Sequence, residues 1–142
     1  MASSGFYLSI RSTEIHKKMR EFFYIFLGSG LGGVTRFGLG KFINTFNNTH
    51  FPFSTLIVNV LACFILGIMV GLADDKQLIS AQMRLFWVVG FCGGFSTFST
   101  FSNEALTLIN SGFHLTNIIY IVLSVALCIL AIYFGIWLIA DK

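Results

Sequence analysis

Charge is almost absent from four long stretches of this chain, about residues 22–43, 53–73, 85–109 and 116–140, and that absence limits the available folds more than any motif does. About 20 apolar residues in a helix cross the hydrocarbon core of a bilayer, and each stretch is that long. The charged residues gather in the amino-terminal arm, in the loop from Asp74 to Arg84 and at the last two positions. With 56% hydrophobic residues and 17 phenylalanines, 142 residues hold more apolar surface than a soluble domain can hide. Hydropathy predicts an all-α integral membrane protein, an arm over 1–20 followed by four transmembrane helices in one domain over 21–142.

The arm carries Arg11, Lys17, Lys18 and Arg20 among scattered apolar residues. It lacks the apolar core and small-residue cleavage site of a signal peptide, so it reads as a solvated or interfacial segment. Met19 is an alternative start.

The third stretch contains Gly90-Phe91-Cys92-Gly93-Gly94-Phe95-Ser96-Thr97-Phe98-Ser99-Thr100-Phe101-Ser102. Its middle is poor material for a continuous helix. Gly93-Gly94 frees the backbone, and the Ser and Thr residues after it can hydrogen-bond to the main chain locally. An unpaired backbone group in hydrocarbon costs several kcal/mol, so a break at that depth must face protein, an ion or water. The expectation is a third helix broken near Gly93–Thr97, lining a site. Beyond the break, Phe98 and Phe101 stand three apart, while Thr97, Thr100 and Glu104 share a neighbouring face.

The other stretches carry their own polar marks. In the first, Gly28-x-x-x-Gly32 and Ser29-x-x-x-Gly33 place small residues one turn apart, which admits a neighbouring helix closely. Arg36 lies toward its far end, either snorkelling to the interface or paired with Glu104, the one carboxylate well inside a span. In the second, Thr55, Asn59 and Cys63 share a face. Asn59 is there either to bond a neighbouring helix or to offer a donor to a ligand. Gly67-x-x-x-Gly71 adds another close-packing edge. In the fourth, Asn117, Tyr120, Ser124 and Cys128 form a polar stripe at helical spacing, a pattern suited to lining a pathway.

Other chemistries find little support. Cys63, Cys92 and Cys128 show no C-x-x-C spacing, and His16, His50 and His114 are isolated, which argues against a metal or haem site. There is no phosphate loop, nucleophile elbow or acid pair, so an enzyme is not expected. The net charge of +3 suits lipid headgroups better than nucleic acid.

Three motifs together, Gly32-Gly33-x-x-Arg36, Thr55-Leu56-x-Val58-Asn59 and the run from Gly90 to Glu104, resemble the Fluc (CrcB) family of microbial fluoride channels. The resemblance extends from about Phe22 to Ala140. It implies an antiparallel, dual-topology homodimer in the plasma (inner) membrane, with two fluoride pores built from both subunits. It also implies a structural sodium ion at the dimer interface, held by backbone carbonyls of Gly93 and Ser96. Position 96 is more often threonine in that family, a change that matters little when the ligand is a carbonyl. The resemblance assigns Phe98 and Phe101 to the fluoride path with Asn59 beside them. Ser99 and Thr100 follow as hydroxyl donors, and Tyr120 and Ser124 as a polar track. Arg36 matches a vestibule arginine and Glu104 the signature carboxylate.

Fluoride is the most strongly hydrated halide, so a path for it must replace water with closely placed donors, which amide and hydroxyl groups supply. Aromatic rings help only through their electropositive edges. A chain that inserts both ways should show little charge bias between its sides. Here Arg11, Lys17, Lys18, Arg20, Lys76, Arg84 and Lys142 fall on one side against Lys41, and Arg36 if counted, on the other. Counting from Met19 narrows that bias. A different class, a small proton-coupled exporter, would need Glu104 as its proton carrier.

Overall fold

A computed structural model describes residues 2–74 and 78–140, and all the secondary structure in them is helical. Lys76 and Lys142, which entered the charge count, lie outside the described residues. Among the described residues, four helices are long and apolar enough to cross a membrane, Lys17–Asn44, Phe53–Ala73, Ala81–Asn110 and His114–Ala140. The protein is a multi-pass membrane protein.

The first helix, α1 (Ala2–Asn44), runs through residue 20 without interruption. Asn47 closes the following turn, its Oδ1 accepting from the Thr49 amide at 3.1 Å and its Nδ2 donating to the Phe51 carbonyl at 3.0 Å. Pro52 then precedes α2 (Phe53–Asp74), where a missing N–H costs nothing. The third span is assembled from pieces. These are α3 (Ala81–Arg84), capped by the Ser80 hydroxyl, π-helical turns over Leu85–Cys92, α4 (Gly93–Phe95) and α5 (Phe98–Asn110). A tight turn leads to α6 (His114–Ala140). There Gly112, at φ 80°, lets its own amide reach Ile109 and the Phe113 amide reach Leu108, which satisfies the last carbonyls of α5.

The third helix was expected to break near Gly93–Thr97, with Gly93 and Gly94 freeing the backbone there. Both belong to α4, and the extended residues are Ser96 (φ −76°, ψ 161°) and Thr97 (φ −151°, ψ 115°). Gly94 serves packing instead, because a Cβ there would collide with the backbone of Ser29.

The spans form two parallel pairs. Along α1, Gly28 lies on Gly90 and Gly32 on Gly94, an offset of 62 positions in both cases. A side chain at Gly28 would overlap the Phe86 carbonyl, and one at Gly32 the Phe91 carbonyl. Along α2, Gly67 meets Ile132, an offset of 65, and Gly71 meets Ile139 and Ile136. Gly135 returns the contact from α6 against Phe64 and Ile68.

Two small clusters form the core. Leu56, Leu108 and Tyr120 make one, and Val58, Ala62 and Phe95 the other. The chain itself buries only 11–28% of each span, so most apolar side chains face outward. That distribution fits a hydrocarbon surrounding, which makes no demand for a polar exterior.

Candidate functional site

The site is built around the two extended residues of the third span. Non-helical backbone at membrane depth needs partners, and Asn59 supplies them from α2. Its Oδ1 accepts from the Thr97 amide at 2.8 Å and its Nδ2 donates to the Thr97 carbonyl at 3.2 Å. Of the two roles open to Asn59, the helix-bridging bond is therefore made. An amide has two N–H donors, and one is committed here. Thr97 also caps α5, its hydroxyl accepting from the Thr100 amide at 3.2 Å and donating to the Thr100 hydroxyl at 2.9 Å. Ser96 turns back, its amide and hydroxyl both donating to the Cys92 carbonyl at 2.9 Å.

One turn farther along, Glu104 ties three helices together. Its Oε1 accepts from the Thr55 hydroxyl of α2 and its Oε2 from the Tyr120 hydroxyl of α6, both at 2.8 Å. No ion pair joins it to Arg36 among the described residues. Of the two readings of Arg36, the pairing gives way to two hydroxyl bonds on the carboxylate, although Arg36 and Glu104 border the same cavity of about 380 Å³. Lys41, Thr97 and Thr100 line it too. Two cations and several hydroxyls thus line one compartment.

A second cavity of about 310 Å³ lies across Thr97, which borders both. It is lined by Asn59, Ser96, Phe98, Phe101 and Ser124, with Cys63 and Cys128 deeper along the α2–α6 seam. The Phe98 and Phe101 rings are tilted at 36° with centroids 5.7 Å apart, and Phe98 is 79% exposed, so this chain leaves most of its ring uncovered. Phe101 leans on the Tyr120 ring, centroids 5.1 Å apart. The Ser124 hydroxyl is buried and has no partner among the described residues, as is the Asn117 Oδ1.

Asn59, Phe98, Phe101 and Ser124 thus come together at one cavity, and Arg36, Thr100 and Glu104 at the other. Tyr120 is fully buried between helices, bonded to Glu104. Ser99 is exposed on α5, its hydroxyl 3.4 Å from that of Thr97. Gly93 is exposed beside a third cavity of about 260 Å³ that it shares with Ser96 and Cys92. Sequence reasoning missed Thr55 as the Glu104 partner and Thr97 as the wall between compartments. The register of α2 on α6 and α5 creates both roles, and only the shared face of Thr55 and Asn59 hinted at them.

The chain matches the family described as CrcB-like protein, Camphor Resistance (CrcB), over residues 23–136. A protein of Phocaeicola vulgatus named fluoride-specific ion channel FluC is 42% identical over 120 residues, 84% of this chain and 98% of the relative. A FluC of Pyrococcus furiosus is 40% identical over 117 residues, 82% of this chain and 94% of the relative. That of Flavobacterium psychrophilum is 38% identical over the same length and shares.

Proposed function

Because the chain belongs to the CrcB-like protein family, we propose that it is a fluoride-selective ion channel through which the ion leaves the cell passively and electrogenically, lowering cytoplasmic fluoride. The observation that carries the reading is the buried, unpartnered Ser124 hydroxyl in a cavity shared with Asn59, Phe98 and Phe101. A buried polar group without a partner costs about 1–3 kcal/mol, a cost that is offset when a permeating anion supplies the acceptor. Asn59 adds an uncommitted amide proton, and the phenylalanine edges add weak positive charge without a competing acceptor. Arg36 and Lys41 raise the anion concentration at the mouth of the adjoining compartment.

The pore is completed by a second copy inserted in the opposite direction, the whole standing in the plasma (inner) membrane. Supporting this are the uncovered Phe98 ring and the outward apolar faces of the spans. At the centre of the dimer, backbone carbonyls of Gly93 and Ser96 suit a structural sodium ion. A continuous helix would give these carbonyls the amides of Thr97 and Thr100, but those amides donate to the Asn59 Oδ1 and the Thr97 hydroxyl. Two carbonyls without their helical donors are hard, neutral ligands for a hard monovalent cation. Bound there, the cation would fix the break and make the potential more favourable to anions.

The test is efflux from liposomes loaded with fluoride and chloride, with no proton gradient, with and without a potassium ionophore. Fluoride release that needs the ionophore, with chloride retained, is the expected result. Release only under a proton gradient, and its loss in Glu104→Gln, would instead identify a coupled exporter.

A further inference from the structure

Cys63 on α2 and Cys128 on α6 are free thiols, each partly exposed, and both line the 310 Å³ cavity. The offset of 65 that sets Gly67 against Ile132 also sets Cys63 against Cys128, one turn earlier on the same seam. Val125 and Ile129 border the cavity beside them. The third cysteine, Cys92, is buried and shares a different cavity with Cys63.

We propose that Cys63 and Cys128 form a two-coordinate site for a soft, thiophilic d10 cation of the mercuric type, and that an ion held there obstructs the cavity bordered by Asn59, Ser124 and Phe98.

Ligand softness selects the class, because thiolates prefer soft metals whereas calcium and magnesium require oxygen. Coordination number narrows it. No group of three or more His, Cys, Asp or Glu residues able to hold a metal exists among the described residues, so the tetrahedral set zinc needs is missing. Two thiolates suit a linear ion. Charge selects the valence, since one divalent ion displaces two thiol protons and leaves a neutral bis-thiolate. In an apolar cavity a monovalent ion between two thiolates would leave an uncompensated negative charge. The site lies on the same face as Asn59 and Ser124, one turn deeper on each helix, so an occupant narrows the space they border.

Binding is read first on purified protein titrated with mercuric chloride, following thiolate-to-metal charge-transfer absorption and counting the thiols left to a disulfide reagent. One ion per chain protecting two thiols is expected in the unaltered protein and in Cys92→Ser. Cys63→Ser and Cys128→Ser, with the corresponding alanine variants as a guard against misfolding, should each weaken binding by about a hundredfold or more, since one of two ligand bonds is gone. Full binding in the Cys128 variants, or its loss in Cys92→Ser, would overturn the pair. Obstruction is read separately, as the ratio of fluoride efflux with and without the metal for each variant. A ratio near unity in protein that has bound the ion at both thiols would overturn the block. That second readout rests on the proposed channel activity. The titration does not, so a protein that fails to conduct fluoride still has its thiol site decided.

Discussion

The two parallel helix pairs solve one problem in opposite ways. Along α1 and the third span, glycines face glycines and backbone lies on backbone, with Gly28 on Gly90 and Gly32 on Gly94. Along α2 and α6, only one half of the seam is closed by small residues, at Gly67, Gly71 and Gly135. The other half carries Thr55, Asn59 and Cys63 on α2 and Tyr120, Ser124 and Cys128 on α6, and it borders an open cavity. Without a hydrophobic drive between helices in lipid, association depends on close packing and on interhelical hydrogen bonds. The first pair draws on close backbone packing. The second gives up part of its packing so that polar groups can reach the break and the cavity.

The largest expected effect attacks the packed seam. Gly32→Val drives a side chain into the Phe91 carbonyl, and backbone there cannot yield. A loss of about 3 kcal/mol or more is expected, read as disappearance of the folded peak in detergent chromatography. Gly30→Ala on the same helix meets nothing within 4 Å and should stay within about 0.5 kcal/mol of the parent. If both substitutions behave alike, the glycine seam does not hold the pair together.

Next comes the clamp of the polar seam. Asn59→Leu strips both partners from Thr97, with an expected loss of about 2–3 kcal/mol in thermal unfolding. Fluoride efflux should fall by about tenfold or more, equivalent to about 1.4 kcal/mol. Unchanged efflux would separate the break from conduction.

Glu104→Gln is smaller. Thr55 and Tyr120 carry rotatable hydroxyls and can accept from the new amide, so a cost of about 1 kcal/mol is expected while passive efflux continues. The smallest effect on stability, and the sharpest test of the comparison, is Ser124→Ala. Removing an unpartnered hydroxyl should leave the melting temperature equal or raised by the equivalent of about 1 kcal/mol, yet slow efflux. Lower stability with unchanged efflux would make Ser124 a packing residue.

Much of this arrangement was legible in the chain itself. Span positions followed from where the charges stop, because the solvent of each segment is set by its own side chains. The stripe Asn117, Tyr120 and Ser124 was visible from helical spacing, and all three residues are buried. A break was expected near Gly93–Thr97, and the extended residues Ser96 and Thr97 fall inside that range. Glycine permits an opened backbone without requiring one, and the position of the opening is set by the Asn59 amide 38 residues away. Charge left two readings of Arg36 open, an interfacial snorkel or a pair with Glu104, while the fold gave the carboxylate two hydroxyl partners.

By itself, then, the sequence determined four membrane spans, their polar faces and the small-residue edges on which they meet, because hydropathy and helical periodicity are local properties. Tertiary structure decided the offsets of 62 and 65 positions between parallel helices. Those offsets chose Thr97 as the residue held open, Glu104 as the tie among three helices, and Cys63 and Cys128 as neighbours. Each of these depends on groups distant along the chain whose contact exists only once the helices have packed.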